Sequence, residues 1–249
     1  MRLSRWTAPR CNGFGAPLFL DTMGQLIDLS TARAARAARA PRPGRPSRAT
    51  LPLPAPRDAA TFWLDVASPF TYLATERVER AHAGLRWRAV LGDLVPGASS
   101  WEGPRGAALR EHAERRAEAL GMPLVWPERP LGGARAATRA AVYAAEQERG
   151  GAFVLAAGRL AFCGGFDLDD PEVLAEAAAA AGLLVEDCLA AAHDSARDVE
   201  IETTTRCLGA AGVDSLPVLQ LGGRLVCGEE RLAEAAALAQ APVGLPHVS

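Results

Sequence analysis

The chain has no lysine, and no two of its five cysteines fall at Cys-x-x-Cys spacing. The first absence excludes a Schiff-base lysine and the usual phosphate-loop lysine; GC-rich coding bias is its simplest source. Cys11, Cys163, Cys188, Cys207 and Cys227 also show no metal-type spacing with His82, His112, His193 or His247, so no metal site is expected. An odd number of cysteines without a framework points to reduced thiols and a cytoplasmic location. No stretch reaches the roughly eighteen uninterrupted apolar residues of a membrane helix. The Ala-rich run at 177–185 is bracketed by Glu176 and Glu186, so no membrane partner is expected.

What is present is uneven. The 249 residues are 49% hydrophobic and 22% charged, enough for one large domain with a real core and an appendage. Residues 1–50 hold nine Arg against two Asp, about +7, and the remainder holds 18 Arg against 27 acidic residues, about -9. The acidic part argues against nucleic acid as a partner. Residues 1–58, with ARAARAARA, PRPGRPSR and LPLPAPR, are Arg/Ala/Pro-rich, and such sequence buries too little apolar surface to offset its ordering entropy. Most of this extension is expected to be disordered. Its composition fits either an organellar transit peptide or translation from a start upstream of the true one.

From residue 61 the pattern is that of an α/β domain. FWLDV reads as a buried strand (61–66), and Ser68 then Pro69 supply an N-cap and a first helical residue for a helix over 69–83. A strand at 85–90 follows, parallel to the first. Helices are predicted at 106–120, 135–149, 151–162, 171–181, 186–192 and 196–211, with Asp170 as an N-cap and Gly182 as a stop. Strands at 218–221 and 224–227 flank Gly222 and Gly223 as a hairpin, and a last helix runs over 229–240. The Ala-rich faces are expected to pack helix on helix. Cys163, Cys188, Cys207 and Cys227 lie in apolar contexts and read as small core residues; His82, His112 and His193 read as surface or structural. The strand-to-helix junction at Ser68 stands out chemically, because unpaired amides and the helix dipole there favour an anion or thiolate.

FWLDVASPFTYLA, LGMPLVWPERPL, FDLDDPEVLAEAAAAAGL and AGVDSLPVLQLGGRLVCGEERL, in that order, resemble successive landmarks of the DsbA-like superfamily. Within it they are most similar to the branch containing 2-hydroxychromene-2-carboxylate isomerase and kappa-class glutathione transferase. The resemblance covers about residues 61–238. It implies a thioredoxin-like fold (βαβ…ββα) with an all-helical insertion. The domain would span 59–241, its thioredoxin core about 60–92 and 212–240, the insertion about 104–211, and a short tail 242–249.

The same resemblance implies site residues. Where the disulfide-exchanging branch has Cys-x-x-Cys, this chain reads Ser68-Pro69-Phe70-Thr71, which has no dithiol. Ser68, as in the glutathione-using branch, would stabilise the thiolate of glutathione or another low-molecular-weight thiol. Leu216–Pro217 would be a cis-proline loop facing it, and Pro69, Glu229 and Glu230 would complete the thiol side, Glu230 standing where the family has aspartate. Phe70 and Trp126 would face an aromatic substrate. Between 91 and 103 the chain reads LGDLVPGASSWEGP in place of the family's Lys and Asn-Pro-Pro element, with Ser99 and Ser100 as substitutes for the asparagine. The implied activity is a glutathione-dependent isomerase. The alternatives are a kappa-class-like transferase, a disulfide-oxidoreductase-like protein without its cysteines, and a non-catalytic ligand-binding or chaperone-like module. A homodimer is expected by resemblance to the kappa class.

Overall fold

The computed structural model describes residues 18–20, 26–28, 60–82, 84–95, 101–127 and 134–232. The expectations for the rest of 1–58, for Ser99 and Ser100, for the end of the last helix and for the tail lie outside the described residues. The chain divides into two units, Met1–Pro54 and Ala55–Ser249. In the first, β1 (Leu18–Leu20) pairs antiparallel with β2 (Leu26–Asp28), a short ladder that the low-complexity reading did not anticipate.

The second unit opens with β3 (Thr61–Leu64), α1 (Pro69–Ala81) and β4 (Arg86–Ala89). Six helices follow: α2 (Gly103–Leu120), α3 (Arg135–Glu146), α4 (Gly150–Phe162), α5 (Pro171–Ala181), α6 (Val185–His193) and α7 (Asp198–Ala210). The chain then returns to the sheet as β5 (Val218–Leu221) and β6 (Arg224–Cys227), and a helical segment opens at Glu229. The sheet order is β4-β3-β5-β6, with β3 parallel to β4 and antiparallel to β5, and β5 antiparallel to β6. This is the thioredoxin-like layout with a helical insertion.

The core forms where the apolar strand residues meet the helices. Phe62, Leu64, Leu73, Phe153, Phe162 and Leu219 are fully buried. Tyr72 on α1 stacks on Phe162 of α4 with ring centres 5.6 Å apart, and Phe62 meets Trp87 edge-on at 5.3 Å. The insertion packs through small residues, as expected: Ala137, Ala140, Ala141 and Ala144 on α3 and Ala177, Ala178 and Ala181 on α5 are buried. At the start of α4 a methyl group would not fit. A Cβ at Gly150 or Gly151 would lie 2.7 Å from Trp87.

Helix ends depart from the sequence reading for local reasons. Helix α2 begins three residues early, because the Gly103–Pro104 pair that looks like a breaker lies in the first turn, where proline is tolerated. Helix α3 stops at Glu146, where Glu148 adopts a left-handed φ of 58°. The helix expected over 196–211 is a short 3-10 turn at Ser195–Arg197 followed by α7. Asp170 caps α5 by accepting from Glu172 N at 2.8 Å, and Gly182 ends it with φ 74°.

Candidate active site

The site forms where β3 hands the chain to α1. Beyond Leu64, the Asp65 carboxylate accepts from Ala67 N at 2.9 Å and the Asp65 carbonyl accepts from Ser68 N at 3.1 Å. These bonds fix the turn that delivers Ser68 to the N-cap of α1. Ser68 has extended backbone dihedrals (φ -90°, ψ 126°), and its carbonyl accepts from both Thr71 N and Tyr72 N at 3.1 and 3.2 Å. Its hydroxyl makes no capping hydrogen bond. An N-cap serine ordinarily spends its oxygen on the first turn; Ser68 keeps it free.

Asp65 is half-buried and packs against Gly92, where a Cβ would come within 2.2 Å of Oδ2. Desolvation, with the neighbouring Asp93 charge adding to it, pushes the Asp65 carboxyl up from 3.8 to about 6, against the lowering effect of its backbone hydrogen bonds.

The second wall is the loop before β5. The β3–β5 ladder runs Thr61↔Gln220, Phe62↔Leu219, Trp63↔Val218, so one step further Pro217 comes abreast of Leu64. The Leu216–Pro217 bond is cis, as the sequence resemblance implied, and Pro217 O accepts from Gly228 N at 2.9 Å. The cis-proline loop therefore stands at the end of β3 from which Ser68 emerges.

Aromatic residues extend the site away from Ser68. Phe70, two residues into α1, stacks on Trp101 (6.2 Å, 28°) and tilts over His112 (5.4 Å). Trp101 in turn meets Trp126 at 6.0 Å, and Trp126 donates Nε1–H to Glu114 Oε1 at 2.7 Å. Phe70 and Trp126, both expected on the substrate side, thus belong to one aromatic cluster with Trp101 between them. The Arg110 guanidinium carbon lies 5.4 Å from the Trp126 ring centre. Its Nε is sealed from solvent without a hydrogen-bond partner, and among the described residues Arg110 has no carboxylate partner.

The two acidic residues at the start of the last helix separate in role. The Glu229 side chain is 1% exposed, and Arg116 grips it with Nε to Oε2 at 2.8 Å and Nη2 to Oε1 at 3.1 Å. Arg77 of α1 also binds Oε1. The bond to Glu229 raises the Arg116 pKa above its ordinary value. Both Glu229 oxygens, expected on the cofactor side, accept from arginines and serve an internal ion-pair cluster. Glu230 has a 57% exposed side chain, 3.7 Å from His112 Nε2 and 3.5 Å from Arg116 Nε. Its carboxylate faces solvent beside the aromatic cluster.

Sequence reasoning missed Asp65, Trp101, Arg110, His112, Arg77 and Arg116. A carboxylate inside the apolar run FWLDV was the one available signal. The cysteines also need correction: Cys188 is buried and its thiol pushed up to about 11 by burial, but Cys207 is exposed and Cys163 and Cys227 are half-buried. Tyr72 gives its single proton to Pro123 O at 2.9 Å, so the Cys163 thiol, 3.2 Å away, is the donor to Tyr72 Oη. Among the described residues no group of His, Cys, Asp or Glu is placed to hold a metal ion, and no helix is long and apolar enough to cross a membrane.

Comparison with known proteins agrees with this architecture. The family model for the DSBA-like thioredoxin domain matches residues 60–239. Among solved structures, a 2-hydroxychromene-2-carboxylate isomerase superposes with a TM-score of 0.60 at 22% identity, over 73% of this chain and 94% of that one. A probable DsbA oxidoreductase from Streptomyces coelicolor gives 0.58 at 22% identity, over 76% and 93%. The cytosolic disulfide reductase DsbM from Pseudomonas aeruginosa, with GSH, gives 0.54 at 18% identity, over 75% and 100%. No curated protein matches the chain in sequence.

Proposed function

The chain belongs to the DSBA-like thioredoxin domain family, and from that premise we propose that it is an enzyme that binds glutathione at Ser68 and isomerises a conjugated aromatic acid. The observation that carries this reading is the Ser68 hydroxyl, held at a helix N-terminus without a capping bond of its own. The donor set fits a thiol: a hydroxyl, a helix N-terminus and a cis-proline loop abreast of it, with no cysteine at Ser68 or Thr71 to exchange with. When bound, the thiol supplies a nucleophile that adds to a conjugated carbon and later leaves it, so that rotation about the bond needs no redox step.

The chain's own residues do the rest. Ser68 donates its proton toward the sulfur, and with the dipole of α1 it favours the thiolate over the thiol. The Leu216 backbone beside cis-Pro217 offers a peptide edge of the kind an extended ligand pairs with. Glu230, the solvent-exposed carboxylate of the two, takes the ammonium of the γ-glutamyl end, with His112 and Arg116 beside it limiting its swing. Phe70, Trp101 and Trp126 supply apolar faces for a flat substrate, and Arg110 supplies the cation for its acid group. Release of the adduct in place of its breakdown would make the same site a transferase.

Calorimetric titration of glutathione into the full chain and into Ser68→Ala tests this. The reading requires saturable binding that weakens in the variant. Heat signals indistinguishable from dilution in both proteins would remove glutathione from the account.

A further inference from the structure

We propose that Thr71 is a positioning residue that acts through Ser68: when a thiol binds, the Thr71 hydroxyl, unpartnered in the ligand-free chain, turns to donate to Ser68 Oγ and leaves the one Ser68 proton for the ligand's sulfur. This inference rests on the reading in which a thiol occupies the Ser68 position. Thr71 is 1% exposed, and its Oγ1 is sealed from solvent with no hydrogen-bond partner. A buried hydroxyl left unpaired is costly, so such a group is an exception that calls for a reason.

Other helix threonines show what Thr71 does not do. Thr75, Thr138, Thr203 and Thr205 each donate to the carbonyl four residues back, at 2.7 to 2.9 Å. For Thr71 that residue is Ala67, which precedes the helix, and the nearby Ser68 carbonyl already accepts two amides. No backbone acceptor is therefore assigned to the Thr71 proton. Ser68 and Thr71 are three residues apart and share one side of α1, and Cα–Cβ bonds tilt toward the helix start. The Thr71 hydroxyl accordingly sits on the Ser68 side of the first turn.

A serine hydroxyl has one proton and two acceptor sites. A bound thiolate can only accept, so it needs the Ser68 proton pointing at it. In the ligand-free chain nothing fixes that proton, because Ser68 makes no capping bond. A donor behind Ser68 settles the matter: once Thr71 donates to Ser68 Oγ, the Ser68 proton is turned outward and polarised. The sequence thus places hydroxyls at both ends of Ser68-Pro69-Phe70-Thr71, one to touch the ligand and one to aim the first. No atom is transferred in this arrangement. Two hydrogen bonds form when the ligand arrives.

The test is the pKa of glutathione bound to the full chain, read from thiolate absorbance near about 240 nm as pH is varied. The parent is compared with Thr71→Val, which keeps the shape without the hydroxyl, and with Thr71→Ser, which keeps the hydroxyl. The expected result is a bound thiol pKa about one unit higher in Thr71→Val, a tenfold loss of thiolate, with the parent value restored in Thr71→Ser. In the Ser68→Ala background, Thr71→Val should add no further shift. Its melting temperature should not fall, because the lost hydroxyl had no partner. A folded Thr71→Val protein with the parent's thiol pKa overturns the Thr71 role and leaves the thiol site standing. A parent that binds glutathione without lowering its pKa, or not at all, overturns both.

Discussion

Arg116 holds Glu229 at two points, 2.8 and 3.1 Å, across 113 residues of chain, with Arg77 completing the cluster from α1. One carboxylate thus joins three elements: the first helix of the thioredoxin core, the first long helix of the insertion and the start of the last helix. The Glu229 side chain is almost completely buried, whereas Arg77 and Arg116 keep partial access to water.

Removing the charge of the shared carboxylate leaves Arg77 and Arg116 without the partner that joins them. Glu229→Gln should cost about 2–3 kcal/mol in urea unfolding, below the roughly 3–5 kcal/mol of a fully buried broken pair, because the arginines can still reach solvent. Arg116→Met should cost less, since Arg77 still answers the charge. A loss under about 0.5 kcal/mol in Glu229→Gln would place the cluster with ordinary surface pairs.

Asp65 predicts a pH dependence of stability. The folded chain holds its proton to about pH 6, whereas in the unfolded chain it titrates near 3.8. Folded protein therefore binds more protons between those values, and stability falls as pH rises through that window and stays lower above it. The ceiling on the loss is about 3 kcal/mol. Asp65→Asn keeps an oxygen for Ala67 N and removes the charge. It should be about 1–2 kcal/mol more stable than the parent at pH 8 and nearly equal to it at pH 4. A variant less stable than the parent at pH 8 would contradict the assignment.

The contact between Asp65 and Gly92 can be tested alone. A methyl group at Gly92 would lie 2.2 Å from Asp65 Oδ2 and 3.0 Å from Cγ. Gly92→Ala should cost about 1–3 kcal/mol, and the double variant with Asp65→Ala should lose less than the two single costs together. Strict additivity in denaturant unfolding would show that the two positions do not meet.

The fold was legible because its signals are local. Ser68 and Pro69 mark the start of α1, Asp170 and Pro171 that of α5, and Gly222 with Gly223 the hairpin, each through backbone preferences that act over a few residues. The position of Ser68 was legible for the same reason. What the sequence could not show is convergence over distance. Glu229 reads as a helix-start acid until Arg77 and Arg116, 152 and 113 residues away, close on it. Trp101 sits in a stretch without periodicity, and only folding sets it between Phe70 and Trp126. Cys207 looks like a core residue from its apolar neighbours, yet it falls on the exposed side of α7.

Arg110 sets an expectation for ligands. Its guanidinium lies over Trp126 without a carboxylate partner among the described residues. Arg110→Met retains an apolar stem, so the binding of cinnamate should weaken about tenfold while that of neutral cinnamamide changes little. Fluorescence titration of the tryptophans reports both. Equal losses for the two ligands would make Arg110 a packing residue.

The central claim is that Ser68 holds a thiol as its thiolate. The most direct measurement is the pH titration of thiolate absorbance for glutathione bound to the parent and to Ser68→Ala. The account predicts a bound thiol pKa at least one unit below that of free glutathione in the parent, with most of that depression gone in Ser68→Ala. An undepressed pKa in the parent, or the same depressed value in both proteins, would contradict it.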